Sequence, residues 1–311
     1  MNENISFPTI VTAGSSYLDI DAYACCVAMA ELLSMQGQTA IAYSTAPCNY
    51  SVCQSLIIEG QISKSLMQEF LLENANYIIV DVSDPDFLKK AVPLSKVTAV
   101  YDHHTGFEEY WSRRIGNRTH IEFLGAAATL IYREWKKAGL HEKMSQSTAR
   151  LLIAAILDNT LNLTSSNTTP EDVEVFNELC RKENIDKEWC AFYFSEVQKN
   201  VEADLQSAIL NDTKAVCHNE ILPPRVAQVA IWNAHSILTR LSEIRQWFGE
   251  AESWMINIID IQRNCSYFVC DDVVYQQKIS KVFDINFELS IAKTPIAYLR
   301  KEIIKKTQEN Q

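Results

Sequence analysis

Three short apolar runs in the first hundred residues each lead to carboxylate or imidazole side chains. Ile10-Val11-Thr12-Ala13 leads to Asp19-Ile20-Asp21, Tyr77-Ile78-Ile79-Val80 to Asp81, and Val97-Thr98-Ala99-Val100-Tyr101 to Asp102-His103-His104. Such runs read as buried strands. The strand candidates are 8–13, 39–44, 77–82 and 97–101. Helical stretches at 20–35, 62–73, 126–138 and 146–157 alternate with and follow them. This alternation predicts an α/β fold: a mostly parallel sheet with helices on both faces. Ligands of such sheets bind beyond the carboxyl ends of the strands, so the three polar ends are expected on one edge. Carboxylate oxygens and imidazole nitrogens form a donor set for Mn²⁺ or Mg²⁺. Metal-assisted hydrolysis at phosphorus is the first expectation.

At 311 residues the chain is long enough for two domains. Thr169-Pro170-Glu171-Asp172 has the form of a helix start, with a capping hydroxyl, proline in the first turn and acids against the dipole. The charged stretch from Arg181 to Glu188 reads as a surface linker. Beyond it come a helix through about 210, strand candidates at 226–231, 255–261 and 266–270, and a helix at 295–308. The expected division is 1–190 for the domain with the polar strand ends and 191–311 for a smaller C-terminal α/β domain.

A net charge of −11 argues against a general binder of extended nucleic acid or of a membrane surface. Nine cysteines without paired spacing fit reduced thiols. No basic-then-apolar leader and no apolar span of about 20 residues is present, so the cytoplasm is the expected location.

The motifs carry a resemblance beyond the tripeptide Asp102-His103-His104. Gly14-Ser15-Ser16-Tyr17-Leu18-Asp19-Ile20-Asp21 is similar to a motif G-H-x-x-x-D-x-D, and Val80-Asp81 to a second motif. Glu122 to Tyr132 resembles E-x-x-G-x-x-A-T-x-x-Y, and Ala155 to Leu163 resembles A-I-L-x-D-T-x-N-L, followed by Thr168-Thr169. Asp212-Thr213-Lys214 resembles D-x-K, Val226 to Val229 the strand after it, and Leu299-Arg300-Lys301 an S-R-K segment. In this order over most of the chain, these resemble the DHH phosphoesterase superfamily, in the branch of family II inorganic pyrophosphatases and exopolyphosphatases.

The resemblance implies a two-ion site for Mn²⁺, with Mg²⁺ or Co²⁺ as alternatives. Two ions about 3.5–4 Å apart can share a carboxylate and activate one water. Asp81 would be that bridge, Asp19 would serve one ion, and Asp21 and His103 the other. Asp102 would orient His103, and His104 would face phosphate or leaving group. Asp81, His103 and His104 are thus the expected catalytic residues. Lys214, Arg300 and Lys301, with His104, would hold a small phosphorylated substrate. The chain departs from the pattern at Ser15, where the family has His, and at Asn159, where it has Asp. Asn159 can offer only a neutral carbonyl, and Asp158 beside it is rotated by about 100° on a helix. Each departure removes a ligand from a different ion, and weak binding is expected above all at the ion of Asp19, which loses the motif's His.

The implied activity is hydrolysis of a phosphoanhydride in pyrophosphate or short polyphosphate. Two other readings stay open: a phosphodiesterase on short oligonucleotides or cyclic dinucleotides, and a non-enzymatic phosphate or nucleotide binder on a decayed scaffold. The second domain lacks the Gly-rich motif usual for the phosphodiesterases. A homodimer is also left open. A lone Asp after a strand more often caps a helix than ligates a metal, so Asp19 carries both readings into the structure.

Overall fold

A computed structural model describes residues 7–14, 17–64, 74–249 and 252–310. Ser15, Ser16 and most of the helix expected over 62–73 lie outside the described residues. The chain divides into two compact units, residues 1–190 and 191–311.

The first unit is built on a parallel sheet of β1 (Thr9–Thr12), β2 (Ala40–Ala42), β3 (Asn76–Val80), β4 (Val97–Asp102) and β5 (Thr119–Ile121), in the order β2-β1-β3-β4-β5. The chain leaves β1 toward β2 on one side and β3 toward β4 on the other. The carboxyl ends of β1 and β3 therefore flank the switch point, where open sheets leave a crevice. Helices α1 (Ile20–Met35), α2 (Glu108–Ile115), α3 (Ala127–Lys137), α4 (Gln146–Asn159) and α5 (Pro170–Glu183) complete the unit.

Alternation along the strands sends side chains to two faces. Ile10, Tyr77, Ile79, Val100 and Ile121 pack with Trp111 of α2 in one core. The opposite face meets α1 and α3. Helix α1 buries thirteen of its sixteen residues, including Cys25 and Cys26. A helix apolar all round belongs in the interior, and α1 is held there between the sheet and α4.

The stretch 181–188, expected as a linker, is mostly helical. Helix α5 runs to Glu183 and ends on Asn184, whose left-handed φ of 51° closes the last turn. Helix α6 (Lys187–Ala203) begins after two more residues, with Asp186 accepting from the Trp189 N–H at 2.9 Å. A short left-handed cap thus joins two helices where charge alone suggested an open linker.

The second unit holds helix α7 (Leu205–Asn211) and a mixed sheet, β10-β9-β8-β7-β6, made of β6 (Thr213–Ala215), β7 (Arg225–Ile231), β8 (Trp254–Asp260), β9 (Cys265–Val269) and β10 (Ile291–Lys293). Only β7 and β8 pair in parallel. Helices α8 (Leu241–Phe248), α9 (Val273–Phe283) and α10 (Arg300–Gln308) accompany it. The helix expected from 295 starts five residues later. Phe248 stacks on Trp254 with ring centroids 4.6 Å apart, so these aromatics are packed core. Among the described residues no helix is long and apolar enough to cross a membrane.

Candidate metal centre

Asp19 is the N-cap of α1: its Oδ1 accepts from the Ala22 N–H at 2.9 Å. This cap uses only one carboxyl oxygen, and Asp19 is one of the carboxylates that raise Asp81, but it lies outside the group that Asp81, His103 and His104 form. Asp81 follows β3 with a φ of 58°, in the left-handed region that few residues other than Gly, Asn and Asp tolerate. Burial, then the neighbouring Asp21, Asp19 and Asp102, push its carboxyl well above the usual range. Burial also raises Asp19.

His103 continues from β4. Its Nδ1 lies 3.1 Å from the Leu124 carbonyl, which can only accept, so Nδ1 carries the proton. Burial and the neighbouring His104 lower its pKa to about 4. At neutral pH the ring is therefore uncharged, with a bare lone pair on Nε2. That atom faces Asp81 Oδ1 at 3.5 Å, a contact that is an ion pair only if the ring is protonated. Among the described residues no donor reaches this buried oxygen. Two bare acceptors thus face each other, too far apart for a shared proton. These two atoms, a carboxylate oxygen and an imidazole nitrogen, are the donors that would hold a divalent ion here. His104 joins the same group, its ligand atom within 4.8 Å of those of Asp81 and His103.

Asp102 was expected to orient His103 but holds His104 instead. Its Oδ1 accepts from His104 Nδ1 at 2.8 Å and from the His104 N–H at 3.0 Å. The reason is local: His103 Nδ1 is already committed to Leu124. The hydrogen bond to Asp102 raises the pKa of His104. Burial raises Asp102, but its bond to His104 and the charge there outweigh this and leave it below the usual range.

Asp21 departs from its expected part as a second-ion ligand. It is fully buried. Oδ2 accepts from the Ala127 N–H at 2.7 Å and Oδ1 from the Ala128 N–H at 2.8 Å, which satisfies the first turn of α3. Asn159 Nδ2 donates to Oδ2 at 2.6 Å. The Cys25 thiol approaches Oδ1 at 3.4 Å. Burial nevertheless lifts its pKa to about 6. Asn159 therefore presents a donor here, where the sequence suggested a ligand. Asp158, the other expected substitute, is outside the Asp81, His103 and His104 group.

The segment 124–128 supplies both Leu124 and the α3 N–H groups, and sequence reasoning missed its part in the site. Gly125 anchors it, donating to Asp172 Oδ2 at 2.8 Å. Asp172 also accepts from Thr129 Oγ1 and Thr169 and closes a capping box at the start of α5. A Cβ on Gly125 would lie 2.7 Å from Asp172 Oδ2 and 2.6 Å from Thr160 Cγ2. Gly125→Ala should therefore destabilise the protein by about 2 kcal/mol or more, read as a lower urea midpoint. An unchanged midpoint would show the segment to be loosely held. The small-residue run Gly125-Ala126-Ala127-Ala128 was the available signal.

In the second unit, the Arg300 guanidinium is occupied by the carbonyl of Asp212 and by Asp212 Oδ1, the latter at 2.7 Å. The arginine expected to reach for phosphate thus ties the start of α10 to the residue before β6. Its N–H also donates to Gln228 Oε1 at 2.6 Å. Lys214 and Lys301 are exposed. Lys306 lies over the Phe283 and Tyr298 rings.

No family model matches the sequence. Over 161 residues the chain is 29% identical to a Deinococcus radiodurans protein described as a manganese-dependent inorganic pyrophosphatase, covering 50% of this chain and 48% of that protein. A Lactobacillus helveticus protein of the same description is 23% identical over 226 residues, 71% of this chain and 70% of that one. The match thus spans about half the length of the first relative. In fold, the chain is similar to a structure from Methanococcus jannaschii described as a family II inorganic pyrophosphatase, with a TM-score of 0.64 at 18% identity over 96% of this chain and 99% of that one. An exopolyphosphatase-related protein from Bacteroides fragilis gives 0.53 at 14% identity, over 99% and 92%. In sequence over half its length or more the chain is similar to these manganese-dependent inorganic pyrophosphatases, and over nearly all of it the chain shares the fold of the two solved structures.

Proposed function

We propose that the chain is a divalent-metal-dependent phosphohydrolase that cleaves phosphoanhydride bonds in pyrophosphate or short polyphosphate. The observation that carries this reading is the pair of bare acceptors, Asp81 Oδ1 and His103 Nε2, facing each other 3.5 Å apart. Asp81 and His103 would hold the ion, with Asp19 and His104 beside them. The manganese-dependent relatives support Mn²⁺ as the metal, with Mg²⁺ or Co²⁺ as alternatives. When bound, such an ion supplies Lewis acidity and an activated water.

The residues around it have their own tasks. The Leu124 carbonyl fixes the His103 tautomer, so that Nε2 is the free nitrogen. Asp102 holds His104 by Nδ1 and favours its protonated form. An imidazolium there would donate to a phosphate oxygen or to the leaving group. Lys214 and Lys301 are proposed as further phosphate contacts of the second unit, with Arg300 as a brace for α10. The first unit would carry the metal and the second the substrate groups, in a cytoplasmic enzyme acting on small phosphorylated compounds.

Phosphate release in Mn²⁺ tests this, with pyrophosphate, tripolyphosphate and a dinucleotide in parallel. Release from either polyphosphate that disappears with chelator and in His103→Ala is the expected result. Cleavage of the dinucleotide alone would move the chain to the phosphodiesterases. Silence on all three from folded, Mn²⁺-loaded protein would contradict an enzymatic reading of this kind.

A further inference from the structure

We infer that Asp172, in the first turn of α5, is a positioning residue for His103 and acts through the one peptide group between Leu124 and Gly125. This rests on the metal-dependent reading above. The Gly125 N–H donates to Asp172 Oδ2 at 2.8 Å, and the Leu124 carbonyl lies 3.1 Å from His103 Nδ1. That N–H and that carbonyl belong to the same amide. In a trans peptide they point in opposite directions, so the carboxylate sits on one side of the amide and the imidazole on the other. The contacts run from Asp172 through the amide and the His103 ring to Nε2, which faces Asp81 Oδ1 at 3.5 Å.

Asp172 is fully buried. Its oxygens accept from the Gly125 and Thr169 N–H groups and from the Thr129 and Thr169 hydroxyls. An ionised carboxylate is an acceptor only, and these partners suit it. Negative charge beside the N–H of a conjugated amide shifts electron density onto the amide oxygen. Hydrogen bonds in such a chain strengthen one another in a poorly polarisable interior. The Leu124 oxygen therefore draws the Nδ1 proton harder, and Nε2 becomes a stronger ligand atom. A carboxylate touching a metal-binding imidazole directly has the same effect. Asp102, expected in that place, is committed to His104. Asp172 takes the part with a peptide interposed, and Gly125 permits it, since a Cβ there would lie 2.7 Å from Asp172 Oδ2.

Asp172→Asn removes the charge and can keep the contacts. The carbonyl oxygen can stand in the place of Oδ2, and the amide can donate to the Thr129 hydroxyl. Mn²⁺ affinity, read by calorimetric titration, should fall about tenfold. In nitrogen-15 spectra of the metal-free protein, His103 should stay protonated on Nδ1 while the Gly125 amide proton moves upfield. Thr129→Val takes a partner from the same carboxylate but leaves its charge, and should bind Mn²⁺ as tightly as the wild type.

Equal affinity in the wild type and folded Asp172→Asn would overturn the inference and leave the metal-dependent reading standing. So would an equal loss in Thr129→Val. No Mn²⁺ bound by the wild type would overturn that reading and this inference with it. If Asp172→Asn does not fold, the metal-free wild type decides. A His103 proton on Nδ1 with a far-downfield Gly125 amide proton supports the inference, and a proton on Nε2 or an ordinary Gly125 amide shift overturns it.

Discussion

Asp81→Asn should abolish Mn²⁺ binding and lower phosphate release by about 10³-fold or more, yet raise the stability of the metal-free protein. Asn is the suitable replacement because Asp81 sits at a φ of 58°, which Asn tolerates and Ala does not. The gain follows from the carboxyl's surroundings. Buried among Asp21, Asp19 and Asp102, it is pushed well above its usual range. Folding the metal-free chain therefore requires either proton uptake or an unpaired buried charge. An amide requires neither, and its nitrogen can donate toward His103 Nε2. A gain of about 1–2 kcal/mol is expected, or several degrees in Tm. The sign with pH is defined. A carboxyl whose folded-state pKa is raised destabilises the fold increasingly as pH rises above its unfolded value, so the gain should widen from pH 5 to pH 7. Equal stability of the two proteins across that range would contradict the account.

Asp21→Ala should be among the most destabilising single substitutions in the first unit, at about 3 kcal/mol. It strands the Ala127 and Ala128 N–H groups and the Asn159 amide in a buried place. A buried unsatisfied donor costs about 1–3 kcal/mol, and the three share one site, so the total falls short of the sum. Asp21→Asn keeps one acceptor and should lose about half as much. It should also retain Mn²⁺ binding, which separates a structural anchor from a metal ligand. Urea unfolding within 1 kcal/mol of wild type for Asp21→Ala would show that Asp21 anchors nothing.

These two aspartates mark how far the sequence could be read. Four parallel strands and α1 were legible because buried strands and an all-round apolar helix leave strong patterns. The fifth strand, Thr119-His120-Ile121, was not, since three residues with one buried give no period. That Asp81 and His103 would lie together was legible from their place at strand ends, which the sheet topology brings to one edge. The partner of Asp102 was not, because His103 and His104 are chemically alike in sequence and only the Leu124 carbonyl distinguishes them. Asn159 was read as a weakened ligand. Which of its amide atoms faces Asp21 depends on the donors of α3, more than thirty positions away, and no spacing rule carries that information.

Crystals soaked in MnCl₂ and measured for anomalous scattering from manganese test the central claim most directly. The account predicts a peak in the first unit within bonding distance of both Asp81 Oδ1 and His103 Nε2. No peak between those atoms at saturating Mn²⁺, or a peak ligated by Asp21 and Asn159 instead, would contradict it.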